Sequence, residues 1–275
     1  MTVSDTLTLN SGVAIPRLGL GVYQMGRGRA TEDAVTWALE AGYRHVDTAA
    51  MYGNEAEVGG AVKRAIAAGL VRRDQVFVTT KLWNSNHGYD QALRAFDTSY
   101  QRIGLEQIDL FLLHWPVPDG RRDSWRALER LLADGKVRAI GVSNYMVKHL
   151  TELLGHAKVP PAVNQIELHP WCQQREVVAF CQQHDIAIEA YSPLTKGMKL
   201  GDKKLGAIAR DAKLTPAQAL VRWSLQKGFV SLPKSAKRER IVENAVEVAL
   251  GAAHMAALDG FNTEDHITWD PRSER

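Results

Sequence analysis

Short apolar, β-branched runs alternate with longer stretches of helical period along this chain, and the alternation repeats eight times. The strand-like runs fall at 17–23, 45–47, 76–81, 108–114, 137–143, 162–168, 187–192 and 229–233. Apolar residues recur every three or four positions at 31–40, 55–68, 89–103, 124–132, 147–154, 176–184, 204–212 and 216–227, and a last helix begins near Arg238. Strands that alternate with helices pair in parallel, because each crossover returns the chain to the same end of the sheet. Eight such units in 275 residues predict an α/β fold closed as an eight-stranded parallel (TIM) barrel. Residues 1–275 are expected to form one barrel domain, with 260–275 as its C-terminal tail. Thr31 reads as the cap of the first helix. Two apolar runs flank Asn10, Ser11 and Gly12, a hairpin signal that we place across the bottom of the barrel. A doubly wound open sheet is the competing architecture, but it would bring a glycine-rich first turn for a dinucleotide. Gly19 and Gly21 lack the third glycine, and Gly26 and Gly28 do not lead cleanly from strand to helix.

Charge and composition narrow the partners. With 34 Lys+Arg against 31 Asp+Glu, the net charge is +3, too weak and dispersed to argue for nucleic acid. No apolar run approaches the roughly 18 residues of a membrane span. The first five residues lack the basic and apolar regions of a signal peptide, so the expected address is the cytoplasm. Cys172 and Cys181 fit no zinc or redox spacing and read as reduced structural thiols.

In such a barrel, catalytic groups gather at the C-terminal ends of the strands. Those ends here carry Asp47, Lys81, His114, Ser143, Asn144, Gln165, Tyr191 and Ser192, with Lys234 and Ser235 after the last. A single polar strand end means little; a carboxylate, an amine, an imidazole and amides on one rim make a candidate site. No His-x-His pair or His-Glu-x-x-His motif is present, and lysine is a poor ligand for a hard cation, so no metal is expected. Lys81 could form a Schiff base, which keeps an aldolase in play. Tyr52, five residues past Asp47, tips the balance. A phenol with a pKa near 10 is too weak an acid for neutral pH. A protonated lysine about 4 Å away contributes roughly 4 kcal/mol at an effective dielectric near 20, which would lower the phenol by up to about three units. Asp47 would keep that lysine charged, and His114 would polarise a carbonyl oxygen. The set is suited to protonating an oxygen, as carbonyl reduction requires, and the hydride must come from a cofactor.

The same residues carry a family resemblance. The run 42–59 (GYRHVDTAAMYGNEAEVG) resembles the first aldo-keto reductase signature, 136–145 (KVRAIGVSNY) the second and 232–244 (LPKSAKRERIVEN) the third. TKLWN at 80–84, LHWP at 113–116 and VNQIELHP at 163–170 fit the same family. The likeness runs from about Leu7 to Asp259 and is nearest to short bacterial members such as the 2,5-diketo-D-gluconate reductases. It implies NADPH-dependent reduction of small aliphatic, aromatic or α-keto carbonyls by a monomer. It implies a catalytic tetrad of Asp47, Tyr52, Lys81 and His114, with Tyr52 as proton donor. By the same resemblance Ser143, Asn144 and Gln165 hold the nicotinamide amide and Tyr191 stacks on its ring. Ser192 and Leu194 line the pyrophosphate, and Glu243 and Asn244 touch the adenine. Lys234, Ser235 and Arg240 would grip the 2′-phosphate, to which a guanidinium is well matched; the plain alternative is a solvated basic helix face. Tyr23, Trp83 and Trp115 are expected in the pocket wall, and Trp37, Trp125 and Trp223 in packing.

Two departures from the family pattern matter. The segment 196–201 is short, which predicts an open cofactor site. The tail from Gly260 matches nothing closely, so His266 and Trp269 either cap the pocket or lie on the surface around one anchored tryptophan. Two other functions stay in view: a cofactor-binding regulatory subunit that keeps the fold, and reduction of a cyclic imine.

Overall fold

In the computed structural model, which describes residues 3, 5–245 and 247–274, the predicted hairpin is the antiparallel pair β1 (Thr6–Thr8) and β2 (Ala14–Pro16). Eight parallel strands follow: β3 (Gly19–Gly21), β4 (His45–Asp47), β5 (Phe77–Leu82), β6 (Ile108–Leu113), β7 (Val137–Ser143), β8 (Val163–Glu167), β9 (Ala187–Tyr191) and β10 (Val230–Leu232). Each pairs with the next in chain order. The ring closes between β10 and β3 through a parallel bridge of Leu18 with Ser231. Two backbone hydrogen bonds support that seam, Ser231 N to Arg17 O at 2.7 Å and Gly21 N to Pro233 O at 3.1 Å. Around the ring run α1 (Arg29–Glu40), α2 (Glu55–Ala67), α3 (Tyr89–Ile103), α4 (Arg121–Ala133), α5 (Val147–Leu154), α6 (Arg175–Gln183), α7 (Lys203–Asp211), α8 (Pro216–Gln226), α9 (Arg238–Asn244) and α10 (Ala252–Asp259).

The two-residue period of the strands divides the apolar residues between two cores. Outward side chains such as Val46, Val78, Phe111, Ile140, Val142, Ile166 and Ile188 meet the helices, with the wholly buried Trp125 and Trp223 among them. Inward side chains form a second core at the N-terminal end of the ring, where Phe77, Leu110, Leu112, Ala139, Val163 and Val230 meet Leu9 and Ile15 of the hairpin. The hairpin therefore seals the floor with apolar contact, leaving the other end of the ring for polar side chains. Both cysteines are buried free thiols. Among the described residues no helix is long and apolar enough to cross a membrane.

One expected cap is absent. The first helix starts at Arg29 after Gly28, whose φ of 72° suits glycine, and no side chain caps it. Thr31 instead donates its hydroxyl to Gly26 O at 2.7 Å, inside the first turn.

Neighbouring glycines in α2 show how tightly the outer layer is packed. A Cβ on Gly59 would lie 1.8 Å from Ile103 O at the end of α3, whereas one on Gly60 would meet only the far end of the Arg64 side chain at 3.4 Å. Gly59→Ala should therefore destabilise the protein by about 2 kcal/mol or more. Gly60→Ala should stabilise it by up to about 1 kcal/mol through helix propensity. Urea midpoints that move in opposite directions are expected; a shared direction would contradict the close approach.

Candidate active site

A cavity of about 920 Å³ opens at the C-terminal ends of the strands, within the usual range for small-molecule sites. Of the residues expected in the site, only Lys81 fails to reach its surface. Lys81 lies beneath, wholly buried, where alternation along β5 turns it into the ring. Its Nζ is 2.7 Å from both oxygens of Asp47, 3.0 Å from Thr48 O and 3.3 Å from Tyr52 Oη. An amine wholly buried among these acceptors has no approach for a carbonyl carbon, which weighs against Schiff-base chemistry.

Tyr52 reaches this cluster because the chain turns sharply after β4. Ala50–Tyr52 form one 3₁₀ turn, which ends at Gly53 with φ 70°. Asn54, wholly buried, pins the loop. It accepts from Thr48 Oγ1 at 2.7 Å and donates to Val22 O at 3.0 Å. Sequence reasoning passed over Asn54, since a polar loop residue carries no sign of burial.

The electrostatics differ from the sequence expectation in one respect. The phenol of Tyr52 is pushed up, well above its ordinary value, by burial first and then by Asp47, Tyr23 and Glu189. The net direction is opposite to the lowering expected from Lys81 alone, because burial and the Asp47 carboxylate outweigh it. The imidazole of His114 goes the other way. Burial, then the charge of Lys81, hold it well below its usual value, so it meets the cavity as a neutral ring. That ring stands edge-on to Tyr52 and Trp83, with centroids 5.7 and 5.2 Å apart.

Next to this group lies a linked set of amides and hydroxyls. Ser143 Oγ donates to Gln165 O at 2.8 Å. Asn144, at φ 64°, donates to His114 O at 3.1 Å and accepts from Tyr191 Oη at 2.8 Å. Gln165 Nε2 donates to Asp47 Oδ2 at 2.9 Å and also to Glu189 Oε2. Glu189, wholly buried on β9, is a second group the sequence reading missed. One lysine cannot neutralise two carboxylates. Burial and Asp47 push the Glu189 carboxyl up to about 8, against the opposing pull of Gln165 and Lys81.

Farther along the cavity are Ser192, Leu194, Lys234, Ser235, Arg240, Glu243 and Asn244. Arg238 on the same helix pairs with Glu40 at 3.0 Å. Among the described residues, Lys234 and Arg240 pair with no carboxylate, although both are exposed. The opposite end is aromatic: Tyr23, Trp83, Trp115 and Met51, with Thr268 and Trp269 from the tail. Trp269 meets Tyr23 edge-on at 5.9 Å. His266 does not cap the cavity; it is buried against Glu167 instead, its Nδ1 3.2 Å from Oε2. The short loop after β9 is not withdrawn either, since Lys196 Nζ lies 5.5 Å from the centre of the Trp269 ring.

Glu189 gives a pH test. Its carboxyl is raised from 4.5 to about 8 by folding, so its contribution to stability is full at low pH and is lost as pH rises through that window. Glu189→Gln should therefore gain on the wild type between pH 5 and 8, by more than about 1 kcal/mol in urea unfolding. A stability difference independent of pH would count against a protonated Glu189.

The model of the aldo/keto reductase family matches residues 17–263. The chain is 47% identical to a 9,11-endoperoxide prostaglandin H2 reductase of Trypanosoma cruzi, covering 97% of this chain and 95% of that protein. It is 42% identical to a glyoxal reductase of Bacillus subtilis, covering 98% and 97%. An aldo-keto reductase of Bombyx mori, solved in complex with NADP, superposes with a TM-score of 0.89 at 35% identity, covering 98% of this chain and 96% of that one. The chain belongs to the aldo/keto reductase family, whose members are NADP(H)-dependent oxidoreductases.

Proposed function

We propose that this protein reduces small aliphatic, aromatic or α-keto carbonyl compounds to alcohols with NADPH, and that Tyr52 is the proton donor. One observation carries the reading. Lys81 Nζ touches Tyr52 Oη at 3.3 Å while Asp47 holds the same amine at 2.7 Å, and His114 borders the phenol from the cavity side.

The donor set fits a dinucleotide phosphate. Lys234, Ser235 and Arg240 form a cationic end that, among the described residues, pairs with no carboxylate, suited to the 2′-phosphate, beside Glu243 and Asn244 for the adenine. Ser192 and Leu194 flank the middle of the groove. Ser143, Asn144 and Gln165 would hold the carboxamide, and the ring of Tyr191 would fix which nicotinamide face meets the substrate. When bound, NADPH supplies the hydride. Each protein group then has a defined task. The neutral imidazole of His114 donates a hydrogen bond to the carbonyl oxygen and draws charge onto it. Tyr52 keeps its proton until that oxygen gains negative charge, then gives it up. Lys81 faces the phenolate left behind, so its hydrogen bond strengthens as charge develops, which is the differential stabilisation catalysis requires. Asp47 and Thr48 O fix the amine for that moment. Tyr23, Trp83 and Trp115 offer apolar surface, and among the described residues no arginine lines that end of the cavity, which favours uncharged substrates; the glyoxal reductase relative is consistent with a small carbonyl.

Tyr52→Phe should lower kcat by about 10³-fold or more while NADPH binding, followed by tryptophan fluorescence, stays within a few-fold. Substantial turnover by this variant would remove Tyr52 from the acid role. Arg240→Ala should raise the Kd for NADPH about 30-fold, equivalent to about 2 kcal/mol, and that for NADH less than threefold. Equal losses for both nucleotides would return Arg240 to a solvated helix face.

A further inference from the structure

Glu167 ends β8, and its register partner is Tyr191. The carboxylate is wholly buried and collects donors from a part of the chain about a hundred residues away. Oε1 accepts from Ile267 N at 2.8 Å and lies 3.0 Å from His169 Nε2. Oε2 accepts from Thr268 N at 3.2 Å and from the Thr268 hydroxyl, and lies 3.2 Å from His266 Nδ1. Burial opposes ionisation of this group, but the donors from His169, His266, Thr268 and Ile267 outweigh it and hold the carboxyl well below the usual range. Three successive tail residues thus end on one carboxylate.

The next residue is Trp269, which borders the aromatic end of the cavity. It is half-exposed and rests on nothing as directional as the bonds that fix 266–268. Its neighbours are the edge of Tyr23 and the amine of Lys196. Thr268 Oγ1 also lies 3.3 Å from Tyr191 Oη. Other bonds tie the preceding tail to the loop after β8. Thr263 N and Asp265 N donate to Trp171 O, at 3.1 and 3.2 Å, and Gln173 N donates to Asn262 Oδ1 at 3.1 Å. Losing the carboxylate would therefore free 266–269 locally without detaching the tail.

We propose that Glu167 is a positioning residue for substrate selection: it latches 266–268 so that Trp269 stands as a fixed wall against the aryl or bulky apolar part of a carbonyl substrate. The proposal rests on the reductase reading of the cavity. A two-carbon carbonyl held by His114 and Tyr52 carries no ring or bulky group to pack on Trp269. An aryl aldehyde gains from burying a ring face against it, and aromatic contact is a large term in binding. A merely structural Glu167 would affect both substrates alike.

The test compares 4-nitrobenzaldehyde with glyoxal in the wild type, Glu167→Gln, Trp269→Ala and the double variant. Gln keeps the size of Glu but turns an amide donor toward backbone and hydroxyl donors. Each single variant should lower the ratio of kcat/KM for the aryl aldehyde over glyoxal about tenfold, mainly through KM. The double variant should fall no further than the worse single one, because both changes remove the same wall. Equal losses for the two substrates, or additive effects in the double variant, would overturn the proposal. If Glu167→Gln does not fold, Thr268→Ala removes one bond of the latch and should lower the ratio two- to threefold; an unchanged ratio would overturn it equally. Amide hydrogen exchange gives an independent reading, with faster exchange at 266–269 in Glu167→Gln and none at β5. If the wild type reduces neither aldehyde, the reductase reading fails, while the exchange data still decide whether the latch exists.

Discussion

The site is organised by one buried ion pair, Lys81 with Asp47. Removing two charges from water is costly, and their attraction offsets that only when the remaining donors and acceptors are also matched. Here they are. The ammonium also bonds Thr48 O and Tyr52 Oη, and the carboxylate also accepts from Gln165. The positions of the other groups follow. The phenol is held against an amine whose charge is already engaged. The imidazole beside it stays neutral because burial penalises its charged form and Lys81 would repel a second cation. Glu189, sharing Gln165 with Asp47, keeps its proton because it is wholly buried and lies beside the Asp47 carboxylate, which already engages Lys81.

The barrel makes such a pair possible by separating its two ends. At the floor, Phe77, Leu110, Val163 and Val230 pack against Ile15 and Leu9 of the hairpin, and water is excluded by apolar contact. Above them the inward positions turn polar: His45, Thr79, Glu189, then Asp47, Lys81 and Gln165. The same alternation that sends Val46 and Val78 to the helices sends Asp47 and Lys81 to the axis. Rigidity below and chemistry above are two outcomes of one strand period.

Much of this was legible in the linear sequence. The eight-fold alternation carried the barrel, and the residues at strand ends carried the convergence of Asp47, Lys81 and His114 with Tyr52. What escaped was of a different kind. Glu167 and Glu189 look like solvated positions in a strand until the ring closes around them, and three of the residues that bond the Glu167 carboxylate are about a hundred residues away. Counting Lys81 alone gave a lowered phenol; in three dimensions Asp47 engages the lysine first, and burial drives the phenol upward. His266 belonged to the anchor rather than to the cavity because its partner lay on β8. Thr31 had the composition of a cap, but the glycine at position 28 set where the helix began. Local pattern predicts elements well; the ionisation and partners of buried groups depend on contacts between distant strands.

The central claim is that Tyr52 rests with its proton in place and releases it only to an oxygen that has accepted a hydride. The most direct measurement is a titration of the phenol by NMR in protein carrying ¹³Cζ-labelled tyrosine. The Tyr52 signal is assigned by its absence in Tyr52→Phe. The account predicts that this signal keeps its protonated shift from pH 6 through about pH 10, the ordinary value for a phenol. A midpoint near pH 7 to 8 would mean that Lys81 lowers the phenol after all, and would contradict the account.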